Sequence, residues 1–178
     1  MGQKLRNFAR TDHPLAVTLQ QDMQAGRLVS DDIIEAMLKH YQNEHHEGAI
    51  IFDGIPRTFW QKALFDRVFP EYIVIYLDLN KETAIHRLSG RRVDPVTGAS
   101  FPRDFEWDYS PYTGNKLEKR ADDTPEAATK RIEEFYQNTL PLLAEWASEG
   151  KRVYRIDASL TPQEVMAHIE VVLSAYLG

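Results

Sequence analysis

Apolar and polar positions divide the 178 residues into alternating helical and extended stretches. "GQKLRNFART" sets Leu5 and Phe8 three apart, as in a short helix, and "HPLAVTLQQDMQAG" predicts a second, with Pro14 near its start and Gly26 as its stop. Ser30 is a good N-cap for "DDIIEAMLKHYQNE", which has acids in its first turn and apolar residues at 33, 34, 37, 38 and 41, a 3.6-residue period. "GAIIFDG" is a continuous apolar run bounded by glycines, which predicts a strand buried on both faces of a parallel sheet. "TFWQKALFDRVF" suits a helix. "YIVIYLDL", rich in β-branched and aromatic residues, is the strongest strand, and Asn80 caps the helix "KETAIHRLSG". Residues 91–123 carry prolines, glycines and aromatics without a sustained period and read as a loop or small flap. "TPEAATKRIEEFYQNTLPLLAEWASEG" predicts a long helix with its stripe at 128, 132, 135, 136, 139, 143 and 146, kinked by Pro141. "RVYRIDA" is a third strand, and "TPQEVMAHIEVVLSAYL" the last helix. Strands alternating with helices predict an α/β fold with a parallel sheet and helices on both faces.

Composition narrows the class. An apolar fraction of 43% and a charged fraction of 27% are those of an ordinary globule, and the length fits one domain with appended flaps. A net charge of −6 argues against a broad nucleic-acid-binding surface. With no cysteine there is neither a disulfide nor a Cys-based zinc site. Apolar runs fall short of the roughly 18 residues a membrane span needs, and the N-terminus is not a signal peptide, so a cytoplasmic protein is expected.

The candidate chemistry starts at "FDGIPRTFWQ". An Asp at the carboxyl end of a parallel strand points into the crevice where α/β sheets bind ligands, and in nucleotide-processing sheets such a residue holds Mg²⁺ directly or through water. Asp53 has that position. Arg57, fixed by the Gly-Ile-Pro turn, is placed to clamp a phosphate through two hydrogen bonds, and the Gln61 amide can pair with an adenine edge. Arg87, Arg91 and Arg92 precede the irregular stretch 93–119, and Arg120 and Arg131 follow it, with Asp122 and Asp123 between. Cations at the hinges of a flap suit phosphoryl transfer, because they gather positive charge on the moving group while the flap excludes water. Single arginines are more often solvated helix ends; five about one flap weaken that reading. No His pair shows metal-ligand spacing with a third ligand.

These residues resemble the adenylate kinase family. "IIFDGIPRTFWQ" is similar to its signature of three apolar residues, Asp-Gly-X-Pro-Arg, three residues, then Asn or Gln. "GRLVSDD", "GQKLR", "HRLSGRRVDPVTG" and "RADDTPEAATKR" resemble, respectively, its base-pocket segment, the opening of its AMP-binding flap, and the entrance and exit of its ATP-covering lid. The resemblance implies phosphorylation of AMP by MgATP to give two ADP, on a P-loop-kinase-like parallel sheet, with 1–29 forming part of the AMP flap and 91–123 the lid. It implies that Arg6 and Arg57 hold the AMP phosphate beside Gly54, that Gln61 reads its adenine, and that the backbone at Arg27, Leu28 and Val29 lines the base pocket. Arg87 and Arg91 would hold ATP, Arg91 near its adenine, with Ser100, Phe101 and the backbone up to Leu160 in contact with it. Arg120 and Arg131 would neutralise the phosphates during transfer, and Asp53 would organise water around Mg²⁺. No zinc is expected; Phe105, Trp107, Tyr109 and Tyr112 would pack the lid instead of a zinc staple. The expected state is a monomer acting on ATP, AMP and ADP.

One departure stands out. The resemblance implies an initial strand followed by G-x-x-G-x-G-K-S/T, and the 178 residues contain no such motif. That strand would lie between the one ending at Asp53 and "YIVIYL", so its loss would leave a gap one strand wide, about 9–10 Å. Three sources of the departure stay open: upstream sequence carrying the loop, a truncated nucleotide-binding remnant without catalysis, or complementation by a separate N-terminal piece. A kinase of the UMP/CMP type is a further alternative, against which the long flap and "GRLV" argue.

Overall fold

The computed structural model describes residues 14–24, 30–44, 50–119 and 123–177. The helix expected at 2–11 and the site residues Arg6, Arg27, Leu28, Val29 and Arg120 lie outside the described residues. The chain divides into two units, residues 1–72 and 73–178.

The first unit contains α1 (Ala16–Gln24), α2 (Asp31–Glu44) and α3 (Phe59–Val68). The stripe of α2 does what its period predicts: Ile33, Ile34, Met37 and Leu38 are buried with Leu19, Ile55, Phe65 and Val68 in one core cluster. Each such side chain contributes about 1.5–3 kcal/mol on burial. Phe52, Phe69 and Tyr72 pack against this cluster, and the Phe52 and Phe65 rings meet edge to face at 5.0 Å. Thr58 caps α3 by accepting a hydrogen bond from the Gln61 amide.

Residues 50–53 do not form the strand that the sequence predicts. Phe52 faces the core while Ile51 is 77% exposed, so the run is not buried on both faces. A strand exists through its ladder, and among the described residues no strand ladder includes this segment.

The second unit contains β1 (Val74–Asp78), α4 (Lys81–Gly90), β2 (Arg92–Val93), β3 (Ser100–Phe101), α5 (Pro125–Glu134), α6 (Leu142–Ser148), β4 (Val153–Asp157) and α7 (Pro162–Leu177). β1 and β4 are parallel, from Val74 opposite Val153 to Asp78 opposite Asp157. The sheet therefore holds two parallel strands among the described residues, rather than the expected three. Leu77, on β1, is 48% exposed. Asn80 caps α4 as expected, accepting from the Thr83 amide.

The expected long helix is interrupted. Between α5 and α6, Phe135–Thr139 form a π-helical turn, with the Leu140 amide donating to the Phe135 carbonyl. Pro141 explains it: proline has no N–H and its ring would collide with the carbonyl four residues back, and a wider turn relieves both. The wider turn shifts the phase of the apolar stripe. Leu142 rather than Leu143 becomes fully buried, with Trp146, while Tyr136 is left 42% exposed. Leu142→Ala should therefore cost about 2–5 kcal/mol, and Leu143→Ala clearly less, in urea unfolding. Equal losses would restore the uninterrupted stripe.

Candidate functional site

The described site residues fall into two groups, one in each unit. In the first, Asp53, Gly54, Arg57 and Gln61 share one turn. Phe52 packs on the core on one side, and Ile55 and Pro56 are buried on the other, which leaves Asp53 exposed between fixed neighbours. Gly54 has φ +78°, in the left-handed region that favours glycine. The Arg57 Nε donates to the Gly54 carbonyl at 2.8 Å, and a β-carbon at Gly54 would lie 2.8 Å from Arg57 Nη2. The Arg57 amide donates to Gln61 Oε1 at 2.8 Å, while Gln61 N donates to Thr58 Oγ1. Gln61 is thus part of the helix start as well as a candidate base reader. The two functions are compatible, because an amide oxygen has two lone pairs and the NH₂ group adds two donors.

In the second unit Arg91 and Arg131, 40 residues apart in the sequence, converge on Asp123. Asp123 accepts from Arg91 Nε at 2.5 Å and Nη2 at 2.9 Å, and from Arg131 Nη1 at 3.1 Å. Its side chain is 1% exposed, against 20% for Arg91 and 38% for Arg131. Sequence reasoning noted Asp123 between two arginine groups without giving it a role; an acid flanked by cations that must gather on one anion was the available signal. Arg87 Nη1 donates to the Ala158 carbonyl at 2.7 Å, and Nη2 to that of Ser159 at 3.4 Å, so it fastens the turn leading to Leu160. A polar cleft of about 410 Å³ lies at the carboxyl ends of β1 and β4, lined by Asp78, Leu79, Asn80, Arg155, Asp157 and Ser159. There the Arg155 guanidinium and then the Tyr76 hydroxyl hold the Asp78 carboxyl below its usual range, while burial and Asp78 push Tyr76 up to about 12.

The segment 91–119 is built from two copies of one turn, 94-DPVTG-98 and 110-SPYTG-114. Each closes with the Gly amide donating to the first residue's carbonyl at 2.8 Å, Gly98 to Asp94 and Gly114 to Ser110. β2 and β3 pair antiparallel, and Val93 also bridges to Glu118. Asp94, fully buried, joins the two turns. It accepts from the Ser110 hydroxyl at 2.6 Å, the Thr113 hydroxyl at 2.8 Å, and the amides of Val96 at 2.8 Å and Thr97 at 3.3 Å. The expected aromatic packing is present in part: Phe105 meets Trp107 edge to face at 5.9 Å, and Phe101 lies 6.0 Å from Tyr112. Phe101 is buried against Phe105, but Trp107, Tyr109 and Tyr112 are 56%, 58% and 74% exposed. The Phe101 ring is committed to this packing, and Ser100 beside it is exposed.

A parallel α/β sheet with a polar cleft at its carboxyl ends, and arginines gathered on a buried carboxylate, defines the structural class. Within it, the adenylate kinase family profile matches residues 1–151. An adenylate kinase of Natronomonas pharaonis is 30% identical over 156 residues, spanning 88% of this chain and 74% of that protein. One of Laccaria bicolor is 30% identical and spans 96% of this chain and 71% of that protein. One of Coxiella burnetii is 31% identical, over 98% of this chain and 81% of that protein. The chain belongs to the adenylate kinase family.

Asp94 gives the site a pH dependence of definite sign. Burial pushes its pKa up, but the bonds from Ser110, Val96, Thr113 and Thr97 outweigh this and hold it well below the usual carboxylate range. A depressed folded pKa stabilises fully above the unfolded value of about 3.9, and that contribution is lost as pH falls toward the folded value. Thermal unfolding should therefore show native chain more stable than Asp94→Asn at pH about 6, with the gap shrinking below pH about 4. Equal melting at neutral pH would remove Asp94 as the organiser of these turns.

Proposed function

We propose that the chain is an adenylate-type nucleoside monophosphate kinase, carrying out reversible phosphoryl transfer from MgATP to AMP to give two ADP. The convergence of Arg91 and Arg131 on Asp123, at the two ends of the segment 91–123, is the observation that most supports this reading. In it, 1–29 forms part of an AMP flap and 91–123 a lid. Arg57 with Arg6 holds the AMP phosphate, and Gln61 with the backbone at Arg27, Leu28 and Val29 takes the adenine. Arg87, through the 158–160 turn, with Arg91 and the backbone of Ser100 and Phe101, positions ATP. Arg131 and Arg120 bring positive charge to the transferring group. Transfer is in line and needs no covalent intermediate; positioning and electrostatics carry it.

Mg²⁺ fits the residues present. It usually keeps several waters and is held by one or two carboxylates plus substrate phosphates. Among the described residues no group of three or more His, Cys, Asp or Glu could hold a metal by itself. An exposed, rigidly flanked Asp53 suits water-mediated contact. When bound, Mg²⁺ would screen the phosphate charge; the arginines orient the phosphates around it.

The 178 residues contain no G-x-x-G-x-G-K-S/T loop, so the backbone amides and Lys that cradle ATP phosphates in such kinases are not supplied by them. Transfer by this chain alone is accordingly expected near zero, with nucleotide binding retained. An AMP plus MgATP assay coupled to ADP detection, run beside calorimetric titrations, tests both halves. Arg57→Ala should weaken AMP binding about tenfold or more, and Arg131→Ala should weaken ATP binding. Robust turnover would contradict the impairment; loss of neither affinity would contradict the site. UMP or CMP binding in preference to AMP would support the other kinase type.

A further inference from the structure

We propose that Arg103 is a phosphate ligand, holding the polyphosphate of the nucleoside triphosphate; the inference rests on the kinase reading above. Arg103 lies in the turn Pro102–Phe105, closed by the Phe105 amide donating to the Pro102 carbonyl at 3.2 Å. Both sides of that turn are fixed. Phe101 is buried with its ring 4.7 Å from that of Phe105, and the Phe105 carbonyl accepts from Arg92 Nη2. Arg103 is exposed, and its stem is supported on one side. It lies against Gly90, the buried last residue of α4, where a β-carbon would come within 2.9 Å of Arg103 Cβ and Cδ and 3.2 Å of Cγ.

The guanidinium at the end of this anchored stem has no protein partner among the described residues. Every other described arginine has a carboxylate, carbonyl or ring partner. An arginine held by its stem has already lost much of its rotamer freedom, so little more is lost when an anion binds. Its anchor, Gly90, is followed directly by Arg91 and preceded three residues earlier by Arg87. Arg91 is paired with Asp123 and Arg87 with the 158–159 carbonyls, so Arg103 is the cation beside this helix end whose donors are left for an anion. The competing role is structural: a cation near the C-terminus of α4 also complements the helix dipole. That role predicts a loss of stability on neutralisation and no change in anion affinity.

Calorimetry on the full chain separates the two, with inorganic tripolyphosphate, ATP and AMP as separate titrants. Arg103→Gln should weaken tripolyphosphate and ATP binding about tenfold and leave AMP affinity and the melting temperature unchanged. Arg103→Lys should recover part of the loss. Gly90→Ala keeps the charge but displaces the stem, and should show the same selective loss. Unchanged tripolyphosphate and ATP affinity in Arg103→Gln overturns the proposal and leaves the kinase reading standing. An unaltered chain that binds neither ATP nor tripolyphosphate overturns both.

Discussion

A buried carboxylate that collects two guanidiniums is the constraint on which the second unit depends. Asp123 is almost completely enclosed. A buried carboxylate without partners would bear a desolvation cost of several kcal/mol, and two neighbouring arginines without an anion between them would repel. Each solves the other's problem. Arg91 ends α4 and Arg131 sits on α5, so one carboxylate ties together the two helices between which the segment 91–123 is strung. The group carries a net charge of +1. Guanidiniums have five donors each, and Arg91 gives Asp123 two of its own, so anion-binding capacity survives the pairing.

The same economy organises the segment itself. Two D/S-P-x-T-G turns share one buried Asp94, which takes amide donors from its own turn and hydroxyl donors from the other. Four neutral donors on one ion satisfy it without a countercharge. The aromatic side chains around the turns are therefore left largely at the surface. At the sheet, β1 pairs with β4 among the described residues, and the apolar run at 50–52 belongs to no strand there.

Legibility in the sequence followed the range of the interaction. The helices α2, α3, α4 and α7 were readable because caps and periodic stripes are local: Asn80 caps where expected, and positions 33, 34, 37 and 38 are buried. The strands β1 and β4 were readable from β-branched composition. The "GAIIFDG" strand was misjudged because a ladder depends on a distant neighbour that composition does not reveal. The π turn was missed because Pro141 announces a break but not how the backbone absorbs it. The turn that joins Gly54, Arg57 and Gln61 was legible from one contiguous motif. The pairing of Arg91 with Arg131 through Asp123, the hub at Asp94 and the stem of Arg103 against Gly90 join residues 8 to 32 positions apart, and spacing alone carries no such information. The family resemblance was legible because its motifs are contiguous, and family membership now stands on the relatives as well.

The central claim is that Asp123 presents Arg91 and Arg131 together to phosphate. The side-chain Nε–H signal of Arg91, followed by nitrogen–proton NMR, tests it most directly. The account predicts an Nε–H protected from solvent exchange in the native chain, lost in Asp123→Asn, and shifted by saturable addition of inorganic tripolyphosphate. A signal equally protected in Asp123→Asn, or one indifferent to tripolyphosphate, would contradict it.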